Sequence, residues 1–111
     1  MEITHDWLES YRGADVVYSR NWMSPQAYKD GIFLKEEEIG RAMEHRKWIC
    51  DSKKMKLTPN ALFIHPMPVD RGHEVTDKVT SSKRSIIYDI AENRLHIQKA
   101  VIALLMSDLW E

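Results

Sequence analysis

The stretch Ala61-Leu-Phe-Ile-His65-Pro66-Met67-Pro68 is the most informative part of the chain. Its apolar residues are typical of a strand buried in a parallel sheet, and a histidine and two prolines follow where that strand should end. In open α/β sheets, ligands bind in the crevice beyond the carboxyl ends of the strands. We therefore expect the residues from His65 to Pro68 to form the rim of a pocket.

Two further apolar runs predict neighbouring strands. Residues 16–19 follow a turn residue, Gly13, and contain consecutive β-branched and aromatic residues, a pattern typical of a strand buried on both faces. Residues 85–88 form a third apolar run suited to a buried strand. With residues 61–65, these runs predict a short sheet of about three strands.

Helix signals separate and follow the predicted strands. Ser24-Pro25 has a capping residue followed by proline at the first helical position, and Asp51 or Ser52 can cap a short helix that ends near Thr58. Residues 91–109 carry apolar residues at spacings of three and four, so we expect a long helix with an apolar stripe. That stripe needs a partner surface.

This alternation of strands and helices indicates an α/β fold. Parallel strands need crossover connections of about this length, so we predict a partial three-layer Rossmann-like domain, with its short parallel sheet flanked by helices. A sheet of about three strands leaves its edges unprotected. The chain is thus expected to be part of a larger domain or a subunit that pairs with another chain.

Composition excludes several classes of function. At 111 residues the chain is long enough for one small domain, and its net charge of -1 gives no reason to expect a nucleic-acid partner. It has neither a basic leader nor an apolar run of membrane-spanning length, so we expect a cytoplasmic protein. The single Cys50 cannot form an intrachain disulfide, and the five histidines have no spacing that indicates a metal site.

Four motifs occur together in one order. They are Gly13-Ala-Asp-Val-Val-Tyr18, His65-Pro66-Met67-Pro68, Glu74-Val-Thr-Asp77 and Ala91-Glu-Asn-Arg-Leu95. In these motifs the chain resembles the aspartate/ornithine carbamoyltransferase family, specifically the later part of its second, amino-acid-binding domain. The family's Ser-x-Arg-Thr-Arg and His-x-x-Gln segments belong upstream, and no stretch matches them. The resemblance therefore implies that residues 1–111 are a partial amino-acid-binding domain without the carbamoyl-phosphate domain.

The resemblance implies a carbamoyl transfer from carbamoyl phosphate to an amino-acid-like acceptor, without a metal or other cofactor. The catalytic residues it implies are His65, Pro66, Met67 and Arg94. The carbonyls of Pro66 and Met67 would accept hydrogen bonds from the carbamoyl amino group and the incoming amine. The Met67–Pro68 peptide bond would be cis, and Arg94 would contact carbamoyl phosphate. Without the resemblance, His65 and Arg94 would be interpreted as structural residues.

The acceptor side departs from the ornithine enzymes. Their Asp-x-Trp-x-Ser-Met segment corresponds here to Arg20-Asn-Trp22-Met-Ser24-Pro25, in which Arg20 replaces the acid. A guanidinium clamps a carboxylate, so Arg20 and Pro66 indicate an anionic acceptor, whereas Arg94 is typical of ornithine-type enzymes. Aspartate, an N-acylated ornithine and oxamate all remain open. The acceptor-binding residues that the resemblance implies are Arg20, Trp22, Ser24, Pro68, Asp70 and Arg71.

Some of these residues also have simpler interpretations. Asp70 and Arg71 could stabilise a turn as an ion pair, and Arg20 could pair with Asp89. Trp7 and Trp48 are expected to be packing residues.

Two hypotheses about function follow. In the first, the chain carries the acceptor-binding residues of a carbamoyltransferase and is inactive without the missing domain. It would then act within a homo-oligomer or together with a complementing chain. In the second, the chain is a non-catalytic assembly or interaction module, in which the open strand edge and the apolar stripe bind another chain.

Overall fold

The computed structural model describes residues 3–21, 28–29, 32–33 and 35–107. Its strands are β1 (Val16–Tyr18), β2 (Tyr28–Lys29), β3 (Ile32–Phe33) and β4 (Leu62–Ile64). Its α-helices are α1 (Lys35–Glu44), α2 (Asp77–Thr80) and α3 (Ile87–Leu105), and short 3-10 turns lie between them. The chain therefore has the α/β fold class that the alternation predicts.

Strands β1 and β4 form a parallel pair, in which Val17 lies beside Phe63 and Tyr18 beside Ile64. The predicted third strand over residues 85–88 is wrong in extent. Ser85 forms only an isolated parallel bridge with Phe63, because helix α3 already begins at Ile87. The described parallel sheet thus has two strands and one bridge, and β2 and β3 form a separate antiparallel pair.

The strand β1 is buried on one face only, which corrects the prediction of burial on both faces. Val17 is buried, whereas Val16 and Tyr18 are 50% and 55% exposed. On the paired strand β4, Phe63 is buried and Leu62 is exposed on the same side as Val16. The core covers one face of the sheet, because the buried residues of the turns and helices all pack there. These core residues are Val17, Cys50, Met55, Ala61, Phe63, Val75, Val79 and Ile87.

Helix α3 begins four residues earlier than predicted, at Ile87, and its described part ends at Leu105. The first helix signal, Ser24-Pro25, and the last residue of the predicted stripe, Leu109, lie outside the described residues. Much of the stripe on α3 faces solvent: Leu95, Ile102 and Leu105 are all more than half exposed. Within the part of the chain that the structure describes, this apolar face is not covered by other elements.

Two cationic side chains, the partly buried Arg84 and the buried Lys54, donate hydrogen bonds to loop carbonyls. The Arg84 guanidinium donates hydrogen bonds to the carbonyls of Met55, Thr58 and Pro59. The Lys54 ammonium group donates to the carbonyls of Lys47 and Ile49 and lies 4.2 Å from the centre of the Trp7 ring. These contacts supply donors to carbonyls in and just after the short 3-10 turns, and the contact between Lys54 and Trp7 adds a cation–π interaction.

The buried Cys50 makes the stability of the chain depend on pH. Burial raises the pKa of the Cys50 thiol, because the thiolate is poorly solvated in the core. Above about pH 8.5 the unfolded chain releases this proton while the folded chain keeps it, so the free energy of unfolding falls as the pH rises, by up to about 1.4 kcal/mol per unit.

We expect the Cys50→Ala variant to lack this contribution. Urea unfolding of both proteins between pH 7 and pH 10 measures it, and the stability advantage of the unsubstituted chain should shrink as the pH rises. The lowered pKa of the buried Lys54 acts in the opposite direction, and because desolvation by burial, its largest cause, is present in both proteins, most of this contribution cancels in the difference. A difference that does not change with pH would contradict the prediction.

Candidate active site

The carboxyl ends of the two parallel strands lie at the same edge of the sheet. Because Tyr18 pairs with Ile64, the segment that begins with Ser19 and Arg20 leaves the sheet beside the segment that begins with His65. This is the edge at which α/β proteins bind ligands. The structure therefore brings the Arg20 segment and the His-Pro-Met-Pro segment to one edge of the sheet.

The 65–68 loop (His65, Pro66, Met67 and Pro68) has an unusual backbone. The Met67–Pro68 peptide bond is cis, as the resemblance implies. Met67 has φ 53°, in the left-handed region that residues other than glycine rarely adopt. Pro68 is exposed, whereas Pro66 and Met67 are partly buried. The loop thus presents a defined backbone conformation at the edge of the sheet.

His65, the first residue of this loop, has a buried side chain and is only 1% exposed. Its Nδ1 accepts a hydrogen bond of 3.0 Å from the Met67 N–H, and its Nε2 lies 3.2 Å from Oε1 of Glu74. Both ring nitrogens of His65 are therefore in contact with other residues, Met67 and Glu74. A direct contact between this ring and a ligand would require the loop above it to move.

Arg94 connects helix α3 to the same loop. Its Nη1 donates a hydrogen bond to the carbonyl of Pro66, 28 residues earlier in the chain. A guanidinium has five N–H donors and a carbonyl oxygen has two lone pairs. Arg94 thus keeps further N–H groups, and the Pro66 carbonyl keeps a lone pair, after this bond has formed.

Asp70 and Arg71 do not form the ion pair that their adjacency suggests. Arg71 instead forms an ion pair with Asp77 and a 3.2 Å hydrogen bond to the Ser81 hydroxyl. The Asp70 backbone N–H donates to Oε1 of Glu74 at 2.8 Å. The partner of Arg71 comes from the first turn of α2, which the sequence pattern does not place next to it.

Arg20 lines a cavity of about 410 Å³ at the carboxyl end of β1. Aromatic side chains make up much of its wall, namely Trp7, Tyr11, Tyr18 and Trp48. Trp48 is 53% exposed and stacks on the His45 ring at a centroid distance of 4.3 Å, so it is a surface residue of this wall and not the packing residue predicted. Asp89 is not a partner of Arg20 among the described contacts. The cavity has a size typical of small-molecule sites.

Two of the predicted acceptor-binding residues, Trp22 and Ser24, lie outside the described residues. In the ranges that the structure does describe, there is no group of three or more histidine, cysteine or carboxylate side chains that could hold a metal ion. No helix in those ranges is long and apolar enough to cross a membrane.

Glu74 is the residue that sequence reasoning missed. It is 2% exposed, lines the cavity that contains Arg20, and contacts both His65 and the backbone of Asp70. The motif Glu74-Val-Thr-Asp77 was visible in the sequence, but periodicity gives no reason to place its glutamate in the core. Only the parallel bridge between Cys50 and Val75, which draws this segment into the interior, reveals its position.

The family model of the aspartate/ornithine carbamoyltransferase Asp/Orn binding domain matches residues 1–105. N-acetylornithine carbamoyltransferase of Xanthomonas axonopodis pv. citri is 40% identical over 107 residues, which are 96% of this chain and 30% of that protein. Ornithine carbamoyltransferase of Methanopyrus kandleri is 44% identical over 105 residues, which are 94% of this chain and 31% of that protein. The chain thus spans about 30% of the length of these curated relatives.

Solved structures give the same result. The ornithine carbamoyltransferase from Pyrococcus furiosus superposes with a TM-score of 0.77 at 36% identity, covering 95% of this chain and 32% of that one. An acetylornithine transcarbamylase complexed with acetylcitrulline superposes with a TM-score of 0.75 at 39% identity, covering 94% of this chain and 30% of that one. The similarity therefore extends over nearly all of this chain and over one part of each relative.

Proposed function

We propose, since the chain belongs to the aspartate/ornithine carbamoyltransferase family, that it forms the acceptor-binding wall of a carbamoyltransferase site. Residues 1–111 would be part of the amino-acid-binding domain, and the wall that binds carbamoyl phosphate would come from polypeptide outside these residues. By itself the chain would be inactive, and it would work within a homo-oligomer or together with a complementing chain.

The contact between Arg94 and the Pro66 carbonyl is the observation that carries this proposal. It joins the Ala-Glu-Asn-Arg-Leu segment at the start of α3 to the His-Pro-Met-Pro segment at the end of β4. Either motif alone is a weak indicator of function. Their meeting at one carbonyl, on the edge of the sheet where α/β proteins bind ligands, favours a shared site.

The reaction places specific demands on that site. The acceptor amine attacks the carbonyl carbon of carbamoyl phosphate, the bond from that carbon to the phosphate oxygen breaks, and the amine loses a proton as phosphate leaves. Carbonyl oxygens at Pro66 and Met67 would accept hydrogen bonds from the reacting N–H groups and orient them. The Arg94 N–H groups that are not bonded to the Pro66 carbonyl would stabilise the negative charge on carbamoyl phosphate.

Arg20 is proposed to select the acceptor. Its guanidinium lies in the wall of the cavity at the end of β1 and can form two parallel hydrogen bonds with a carboxylate. Two of the relatives described above act on ornithine or N-acetylornithine, according to their names. We therefore favour an N-acylated ornithine over aspartate and oxamate as the acceptor.

Reconstitution tests the proposal. The chain would be mixed with the Xanthomonas relative from which the matching 107 residues have been deleted. The two parts together form a reconstituted pair. Phosphate release and ureido product would be measured with carbamoyl phosphate and each of four acceptors: ornithine, N-acetylornithine, aspartate and oxamate. We expect turnover by the reconstituted pair and none by either part alone. Turnover by the chain alone, or no turnover by a pair that has been shown to associate, would contradict the proposal.

The exposed apolar face of α3 favours a second candidate function, a non-catalytic assembly module. Light scattering during size-exclusion chromatography distinguishes the two candidates. Association of the chain with itself and a failure to associate with the truncated relative would favour the assembly module.

A further inference from the structure

The carbonyls of Pro66 and Met67 can orient a substrate only if the 65–68 loop keeps one conformation. Met67, with φ 53°, lies in a backbone region that is strained for a residue with a side chain. Such a conformation persists only when the surrounding structure determines it. The contacts that hold this loop therefore bear on the proposed function.

The first contact fixes the tautomer of His65. Because its Nδ1 accepts a hydrogen bond from the Met67 N–H, Nδ1 carries no proton, and the neutral ring has its proton on Nε2. Nε2 lies 3.2 Å from Oε1 of Glu74, a close electrostatic contact without in-line hydrogen-bond geometry. The Glu74 carboxyl group thus favours the tautomer that can hold Met67.

The second contact fixes the other end of the loop. The same Glu74 oxygen, Oε1, accepts the backbone N–H of Asp70 at 2.8 Å. One carboxyl oxygen therefore contacts the residue at the start of the loop and a residue two positions beyond its end. Glu74 and His65 are 2% and 1% exposed, so water does not compete for these contacts.

Packing alone does not explain a glutamate at this position. Oε2 of Glu74 is buried and has no hydrogen-bond partner among the described residues, an arrangement that costs stability. A leucine would fill the same space without that cost. We infer that Glu74 is a positioning residue of the proposed site: through His65 and the Asp70 N–H, it fixes the directions of the Pro66 and Met67 carbonyls. This inference rests on the proposed carbamoyl transfer.

Two substitutions separate positioning from packing. Glu74→Gln keeps an oxygen that can accept the Asp70 N–H and face the His65 ring, whereas Glu74→Leu removes both contacts and puts an apolar side chain of comparable bulk in their place. A displacement of the reacting groups by about 1 Å can lower a rate by 10²-fold. In the reconstituted pair we expect Glu74→Leu to lower kcat by about 10- to 100-fold with little change in the KM for carbamoyl phosphate, and Glu74→Gln to restore most of kcat.

Glu44→Leu is the matched control, because Glu44 is exposed at the end of α1, and it should leave kcat unchanged. A folded Glu74→Leu variant with the kcat of the unsubstituted pair would overturn the inference. A Glu74→Gln variant with a kcat as low as that of Glu74→Leu would also overturn it, because the contacts made by Oε1 would then not determine the rate.

A second measurement needs no catalysis, so that failure of the inference can be distinguished from failure of the proposed function. Long-range ¹H–¹⁵N correlation spectra of the chain report which ring nitrogen of His65 carries the proton. We expect the Nε2–H tautomer in the chain and in Glu74→Gln, and a mixture of tautomers with a faster-exchanging Met67 amide in Glu74→Leu. A Nδ1–H tautomer in the unsubstituted chain, or an unchanged spectrum in Glu74→Leu, would overturn the positioning role even if carbamoyl transfer is observed.

Discussion

Replacing Arg94 with alanine should lower kcat/KM for carbamoyl phosphate in the reconstituted pair by about 10²- to 10³-fold, the range found when one preorganised donor is removed from a transition-state site. The substitution removes the bond to the Pro66 carbonyl and, in the proposed mechanism, the donors that meet the phosphate. Both losses affect the transition state, so we expect a large part of the effect in kcat. Steady-state kinetics with carbamoyl phosphate as the varied substrate measures it.

Arg94→Lys and Lys99→Ala sharpen this test. A lysine keeps the positive charge but lacks the planar fork of donors, so it cannot hold the Pro66 carbonyl and a phosphate oxygen in the same way. We expect Arg94→Lys to recover only a small part of the lost rate. Lys99 is an exposed cation on the same helix, and its removal should change kcat/KM by less than about twofold, as expected for a screened surface charge. If Arg94→Ala and Lys99→Ala lowered kcat/KM equally, α3 would contribute only a diffuse positive charge to the site.

Phe63→Ala should lower the free energy of unfolding by about 3–5 kcal/mol, the cost of removing a fully buried aromatic side chain. Phe63 is 0% exposed and lies between the two segments that pair with β4. Its N–H donates to the Arg84 carbonyl, and its own carbonyl accepts from the Ile86 N–H. A domain of this size has about 5–15 kcal/mol of stability in total, so the substitution should remove a large fraction of it.

Leu62→Ala is the control for this effect, because Leu62 occupies the adjacent position on β4 but is 40% exposed. We expect its substitution to cost less than about 1.5 kcal/mol, since only part of its side chain leaves water on folding. Urea unfolding followed by circular dichroism gives both values. Equal costs for the two variants would indicate that the open face of the sheet, on which Leu62 lies, is covered in solution.

The sequence predicted the elements whose signals are local. The apolar run before His65 predicted β4, and the run after Gly13 predicted β1, because β-branched and aromatic residues favour the extended backbone without help from distant residues. Asp51 or Ser52 is predicted to cap a short helix; the structure has a 3-10 turn at Lys54–Lys56, and Asp51 Oδ1 accepts the N–H groups of Lys53 and Lys54 before it. The resemblance further implied the cis bond before Pro68.

The third strand was not predictable in the same way. Residues 85–88 are as apolar as the other two strands, but a short apolar run fits a buried strand and the first turn of a buried helix equally well. Tertiary packing decides between a strand and a helix here. The Phe63 carbonyl accepts a hydrogen bond from the Ile86 N–H, and α3 then begins at Ile87, whose side chain lies in the core.

For the site, the sequence by itself determined the chemistry available at the edge of the sheet: a guanidinium after β1, a histidine and two prolines after β4, and a second guanidinium near the start of α3. Only the tertiary structure decided which atoms meet. In that structure Arg94 donates a hydrogen bond to the Pro66 carbonyl, Arg71 forms an ion pair with Asp77, and Glu74 contacts His65 of the 65–68 loop. Contacts between residues six to 28 positions apart depend on how the chain closes around its core, and no local pattern of residue types encodes that closure.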